Sequence, residues 1–263
     1  MVSVVINYCS IDAPFISHTV AQARLFSDDV IVSAFDHLFS GLPEDPAALQ
    51  SLEAAPTSPG ASKGAAGVRV IVQKWSADKP PKYWHNAARF AGAEAAKHEW
   101  VLFLDADEVP EGALMRDFLK TLPRTYDAYS FACYWYFREP IYRARREFEC
   151  AVMLNKRIIS RDLIFSDAER WEYRRHPEIK AREHVPGLPG TELGSGARPM
   201  FHHFSWVRTR EQLLKKVSSW AHRDDASWSM LVEEEFSRPF SGTDFIYGFA
   251  YDTVPNQFGI SLV

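Results

Sequence analysis

With 263 residues, 46% of them hydrophobic and 24% charged, the chain has a globular composition, which excludes a disordered, collagen-like or disulfide-scaffold protein. That length suits one large domain, or one domain with a small appendage. A formal net charge of -4, with no basic stripe longer than the run Arg143 to Arg146, excludes the electrostatic footprint of a nucleic-acid binder.

Val2 to Tyr8 is a short apolar run rich in β-branched residues, the pattern of a strand buried on both faces of a parallel sheet. Ala13 to Phe26 reads as a helix with Pro14 in its first turn, and Val30 to Asp36 as a second strand, which completes a β-α-β unit. From Gly41 to Gly67 the chain is dominated by Ala, Pro, Ser and Gly without periodic apolar residues, so 41-67 is expected to be a surface insertion without chemistry. Val68 to Gln73 predicts a third strand and Pro80-Pro81 an extended segment. Ala87, Phe90, Ala91 and Ala95 at helical spacing predict a helix from about Tyr83 to Lys97. Trp100 to Leu104 is an uninterrupted apolar strand ending in Asp105.

This alternation predicts an α/β fold: a Rossmann-like, mixed and mainly parallel sheet flanked by helices. Ligands of such sheets bind beyond the carboxyl ends of the strands, where Asn7 to Ser10, Asp36, Asp105 and Asp107 fall. In the second half Tyr129 to Phe137 reads as a long aromatic strand. A charged segment from Arg138 to Glu149 and a short strand at Val152-Met153-Leu154 follow it. A Pro- and Gly-rich loop, Pro186 to Pro199, leads into Met200 to Trp206 and then a helix, with Thr209 and Gln212 at capping-box spacing.

Cys9, Cys133 and Cys150 are far apart and form no Cys-x-x-Cys pair, so neither a zinc knuckle nor a disulfide framework is indicated and a reducing compartment is expected. Cys9 is expected to be a small buried hydrophobe rather than a nucleophile. The first residues lack a basic n-region, and no run approaches the ~18 apolar residues of a membrane span. A soluble, cytoplasmic protein is expected.

Asp105-Ala106-Asp107 carries the chemistry. Two acids flanking one small residue at a strand end turn towards the same cation, and a hard divalent ion bridging two phosphates prefers such carboxylate oxygens. Taken alone, Asp-x-Asp-Glu is more often a strand-to-helix turn than a metal site, with a helix starting near Glu111.

Position decides between the two. The order of features is Val2-Ser3-Val4-Val5-Ile6-Asn7-Tyr8, then Asp36, then Ala87-Ala88-Arg89-Phe90-Ala91-Gly92, then Val101-Leu102-Phe103-Leu104-Asp105-Ala106-Asp107-Glu108. It resembles the family 2 glycosyltransferases of the GT-A fold, with the best match over residues 1–115. The resemblance implies a glycosyltransferase that moves a sugar from a nucleoside-diphosphate sugar, UDP-linked, to a hydroxyl of a glycan or other acceptor, with Mn2+ or Mg2+ as cofactor and with inversion. It implies that Asn7 and Tyr8 contact the base or ribose, Asp36 the uracil-like base and Arg89 the donor, and that Asp105 and Asp107 hold metal and diphosphate. Asn7-Tyr8-Cys9-Ser10 departs from the Pro-Thr-Tyr-Asn-like form usual after the first strand, which leaves room for a variant nucleotide pocket.

The same resemblance suggests a later histidine on the metal, His203 or His202; adjacent strand residues point to opposite faces, so one of them serves. Lys215, with Lys216 and Arg208 nearby, is the expected cation for the leaving diphosphate. The base that deprotonates the acceptor is sought in Glu149 or Glu147, with Asp167 and Glu169 as rivals. Alternate rings of Tyr134-Trp135-Tyr136-Phe137 are candidates for stacking on the acceptor. The expected division is a GT-A catalytic domain over 1-208 and a helical extension over 209-263 packed on it. Two other readings stand beside this one: a nucleotidyltransferase, which usually shows a Gly-rich phosphate loop and a Lys that are missing after Ile6, and an inactive sugar-binding module on the same fold.

Overall fold

A computed structural model describes residues 1–53, 68–123, 125–165, 176–185, 198–244 and 246–262. The first half alternates as β1 (Val2–Asn7), α1 (Ala13–Ala23), β2 (Asp29–Phe35), α2 (Pro46–Glu53), β3 (Arg69–Gln73), α3 (Pro81–Ala95) and β4 (Trp100–Asp105). Then come β5 (Glu108–Pro110), α4 (Gly112–Lys120), β6 (Ala128–Phe137), β7 (Glu139–Asn155), α5 (Arg161–Phe165), β8 (Ala181–Val185) and β9 (Phe201–Trp206). The last part holds α6 (Arg210–Ser219), α7 (Trp228–Phe236) and β10 (Tyr251–Thr253).

The strands form one sheet in the order β3-β2-β1-β4-β7-β6-β9-β5, with β10 beside β7 and β8 beside β6. β3, β2, β1 and β4 are mutually parallel, and β7 reverses direction against β4. The architecture is the mixed, mainly parallel α/β sheet that the sequence predicts.

Side-chain alternation along β1 distributes its residues between two cores. Val2, Val4 and Ile6 belong to a core that also holds Ile16 and Val20 of α1 and Met115 and Phe118 of α4. Val5 belongs to a second core with Ala93 of α3. Helix α3 lies so near that a Cβ on Gly92 would stand 2.3 Å from Val5 Cγ1. Only a glycine permits that approach.

Three sequence expectations need correction. Within 41–67, residues 46–53 form α2: Leu52 is buried and Leu49 packs on the same core, an i, i+3 pair that was hidden in an Ala-rich context. Residues 54–67 lie outside the described part. All of the charged segment after Arg138, residues 139–149, belongs to β7, a 17-residue strand with two arginines on aromatic faces, Arg143 over Tyr134 and Arg146 over Phe148 and Phe249. Finally, 209–263 is more than helical, because β10 pairs antiparallel with β7 in the sheet. The capping box is formed: Gln212 N–H donates to Thr209 Oγ1, and Thr209 N–H donates to Gln212 Oε1.

Candidate functional site

A cavity of about 390 Å³ opens at the carboxyl ends of β1, β2 and β4. Register explains which residues meet there. Asn7 lies beside Asp105 on one flank and Ser33 on the other, and the Ala106 N–H donates to the Asn7 carbonyl at 3.0 Å. Asn7 Nδ2 donates to the His85 carbonyl at 3.5 Å, while its buried Oδ1 has no hydrogen-bond partner among the described residues. Tyr8 and Cys9 line the same cavity. The Cys9 thiol, which donates to Asp12 Oδ2 at 3.5 Å, is pushed well up by burial and by the charges of Asp12 and Glu44, which suits no nucleophile.

Asp105 is approached from α3. Pro81 at the first helical turn fixes where that helix starts, and His85 and Arg89, one turn apart, share a face. His85 Nε2 lies 3.2 Å and Arg89 Nη2 3.7 Å from Asp105 Oδ1, and Arg89 is further held by Asn86 Oδ1 at 3.0 Å. The Asp105 N–H donates to Glu108 Oε2 at 2.8 Å, so the turn is tied down from both sides. His85 escaped the sequence reading, although its i, i+4 spacing from Arg89 was the available signal.

Asp107 is approached from the far end of the chain. The β5–β9 ladder pairs Glu108 with His203, and the Phe204 N–H donates to the Asp107 carbonyl at 2.8 Å. His203 Nε2 therefore stands 3.6 Å from Asp107 Oδ1. On the other oxygen, Arg208 Nη2 and Lys216 Nζ both donate at 2.9 Å. Burial pushes the Asp107 carboxyl up, but Lys216, His203 and Arg208 outweigh it and hold the group well below the usual carboxylate range. His203, for its part, is lifted to about 10 against its own burial by Asp107, Cys133 and Glu108. Its Nδ1 is buried without a hydrogen-bond partner among the described residues, with Glu108 Oε1 3.9 Å away.

A model of glycosyl transferase family 2 matches residues 67–184. The chain is family 2-like over that stretch. The matched residues include His85, Arg89, Asp105, Asp107 and Glu149, whereas Asn7, Tyr8, His203 and Lys216 lie outside them. The match thus reaches further along the chain than the resemblance over 1–115, and it leaves out the first strand. No curated protein matches. Among solved structures, 4-diphosphocytidyl-2C-methyl-D-erythritol synthase from Anaerococcus prevotii is similar at TM-score 0.44 and 11% identity, over 70% of this chain and 86% of that one. The bifunctional IspDF from Campylobacter jejuni scores 0.46 at 8% identity over 81% and 53%. Rv0371C from Mycobacterium tuberculosis, in complex with manganese, scores 0.40 at 14% identity over 69% and 86%. At such scores these likenesses carry no argument about activity.

Beyond the aspartates, the family 2-like chain departs from several residue expectations. Lys215 is exposed and away from the cavity; Lys216, about 100° further round α6, reaches Asp107 instead. Arg208 is fully buried, bridges Asp12 and Asp107 and lies over the Phe15 ring, so it positions Asp107 rather than meeting a ligand. Asp36 does not line the cavity: its carboxylate accepts the Trp75 N–H at 2.9 Å and pairs with His37 and Lys74. His37 lines the cavity in its place.

His202, turned to the opposite face of β9 from His203, stands between Glu111 Oε1 at 3.0 Å and the Tyr136 hydroxyl at 2.8 Å. Burial lowers its pKa against the pull of Glu111, and it does not line the cavity. Glu149 lines the cavity and accepts the Ser130 hydroxyl at 2.8 Å, whereas Glu147 is half-buried outside it, opposite Tyr134. Of the aromatic run, only Trp135 reaches the cavity. Asp167 and Glu169 fall outside the described residues. Arg223 Nη1 donates to the Phe39 carbonyl at 2.9 Å, which links the α6–α7 turn to the loop after β2. No helix among the described residues is long and apolar enough to cross a membrane.

Proposed function

We propose that the chain transfers a glycosyl group from a nucleoside-diphosphate sugar, UDP-linked, to an acceptor hydroxyl with inversion, assisted by Mn2+ or Mg2+. The observation that carries this reading is the placement of Asp105, Asp107 and His203 together in one cavity at the end of β4. The division of the chain into a part over 1-208 that carries the aspartates and a part over 209-263 that packs on it and brings Lys216 to the cavity belongs to the same proposal.

The residues fit a divalent ion in a particular way. Asp107 Oδ1 and His203 Nε2, 3.6 Å apart, are within the span of two ligands each about 2.1 Å from a shared ion, and an ion there would take the place of the proton that His203 otherwise holds. Among the described residues no three or more His, Cys, Asp or Glu side chains converge on an ion. Hard ions such as magnesium are usually held by one or two carboxylates and completed by substrate phosphates, which agrees with so sparse a protein shell. When bound, the ion supplies positive charge opposite the diphosphate.

The protein's own groups divide the remaining work. Asn7 and Tyr8 take the nucleoside, with the unpartnered Asn7 Oδ1 as an acceptor for a donor N–H or hydroxyl. His85 and Arg89 hold Asp105 against the ribose and phosphate side. The Lys216 ammonium stands where charge grows on the departing diphosphate, an interaction that strengthens in the transition state. Glu149 removes the proton of the attacking hydroxyl; the new C–O bond forms as the anomeric carbon–phosphate oxygen bond breaks, and the electron pair leaves with the diphosphate.

Donor hydrolysis is to be measured across UDP-, GDP- and dTDP-sugars with and without manganese. Metal-dependent turnover of a UDP-sugar, lost in Asp107→Asn, is expected. Inactivity with every donor together with no nucleotide binding would sink the assignment.

A further inference from the structure

The aspartates and the β1 end account for one part of the cavity, and the remainder is aromatic. Trp135, Trp206, Trp220, Trp228 and Tyr247 line it, Trp206 being almost wholly buried. Trp135 and Tyr247 meet almost at right angles, 6.3 Å between centroids, and form a corner. On its other side Trp135 meets His203 edge-on at 4.8 Å, which sets the corner directly beside the reacting end of the donor.

These indoles differ in what their N–H groups do. That of Trp228 donates to the His222 carbonyl at 2.8 Å and belongs to the wall. Those of Trp135 and Trp220 are buried and have no acceptor among the described residues. Burying a donor without a partner is unfavourable, and an oxygen of water or of a ligand relieves it; unlike the equally unpartnered indoles of Trp75, Trp84 and Trp100, these two belong to residues that line the cavity. Charge narrows the choice of ligand. Asp12, Asp105, Asp107, Glu108, Glu149 and Asp225 line the cavity; of its cations Arg89 is engaged with Asp105, Lys216 and His203 are engaged with Asp107, and Asp225 is paired with His222. An anionic ring therefore meets a lining in which acids outnumber cations and the cations are already engaged.

We propose that this aromatic end is the acceptor subsite, and that it takes a neutral pyranose. The ring packs its C–H face on the indole and phenol surfaces, and its hydroxyl oxygens accept the Trp135 and Trp220 N–H groups. One hydroxyl is thereby presented to Glu149. The assignment rests on the glycosyl-transfer reading, and it excludes a serine or threonine peptide, which has no flat apolar face, as the acceptor.

The test titrates the full chain with methyl glucoside, methyl galactoside and methyl mannoside, with sodium glucuronate, and with a Ser/Thr peptide. Tryptophan fluorescence and saturation-transfer NMR report binding, with and without saturating UDP and manganese. At least one neutral glycoside should bind saturably in both conditions, while glucuronate and peptide do not. Trp135→Ala and Trp220→Ala should each weaken it about tenfold or more, with UDP binding by calorimetry unchanged. Trp220→Phe, which keeps the ring and deletes the N–H, controls for folding and should fall between the wild type and Trp220→Ala. The proposal is overturned if no neutral glycoside binds, if binding ignores both tryptophans, if glucuronate or peptide binds instead, or if UDP-glucose displaces the glycoside while UDP does not. Glycoside binding without any nucleotide affinity would leave the subsite standing and remove the donor reading.

Discussion

Asp107 is almost shut off from water and has three cationic neighbours, so its carboxylate holds the protein together as well as facing the cavity. Asp107→Ala leaves Lys216 without its carboxylate and Arg208 with Asp12 as its one carboxylate, and breaking a buried pair in this way typically costs about 3–5 kcal/mol. Urea unfolding should show a loss of that order for the alanine variant and a smaller one for Asp107→Asn, while both lose manganese-dependent UDP binding in calorimetry. The cation on α6 separates more cleanly. Lys216→Met should lower kcat by about 10²–10³, the usual size for removing one group that stabilises transition-state charge, and Lys215→Ala should leave it unchanged.

Behind the cavity, Glu111 and His202 make stability sensitive to acid. Glu111 is lowered from its ordinary 4.5 to about 2, because His202 and Arg198 outweigh its burial; its contribution is complete above 4.5 and is lost as pH falls towards 2. His202 is also lowered, by burial, so below its ordinary 6.5 the unfolded chain takes up a proton that the folded chain refuses. Both effects have the same sign: denaturant midpoints measured from pH 7 downwards should fall, and His202→Gln should remove the part of the slope that begins near 6.5.

At the scale of elements, α3 shows how packing delivers chemistry. Gly92 lets the helix touch Val5, and that closeness carries His85 and Arg89 to Asp105. Alanine in a helix is ordinarily better than glycine by about 1 kcal/mol, but a Cβ 2.3 Å from Val5 cannot be placed without moving the helix. Gly92→Ala should therefore destabilise by about 1–3 kcal/mol, and part of the loss should return in a Val5→Ala background. Thermal melts of the single and double variants check both statements.

The first-half strands were legible because strands buried on both faces read as unbroken apolar runs, and the acids that stop β4 abruptly marked the ligand end. β7 was not legible, since cation–π contacts let Arg143 and Arg146 occupy strand positions that look like a solvated loop. The histidine pair could be narrowed to one but not resolved, because alternation says that one faces the cavity without saying which; the pairing of His203 with Glu108 and Trp135 decides it. Lys216 and Lys215 pose the same problem on a helix, where one residue of phase separates the cavity from solvent. Asp36 sat at a strand end as expected, but its carboxylate is turned to the Trp75 N–H, a local bond that spacing does not reveal.

For the molecule as a whole, the site is drawn from both ends of the chain. Asn7 and Tyr8 come from the start, Asp105 and Asp107 from the middle, and His203 and Lys216 from the last quarter, with Arg223 bonded to the Phe39 carbonyl across the two lining segments. Arg223→Ala removes that link without touching the aspartates. Donor KM is expected to change by more than kcat, which steady-state kinetics would show. Contacts of such sequence separation slow folding, because long loops must close before the contacts repay them.

Arg208 gives this arrangement an order in time. It joins Asp12 to Asp107 and comes 196 residues after the first of them. During synthesis the two acids therefore emerge long before their shared guanidinium, and any early closure of the sheet would bring them together with a proton on one of them. Only when residues 208–216 follow are Arg208 and Lys216 present to join His203 in balancing the two carboxylates, so the charge of the site is completed from the last quarter of the chain.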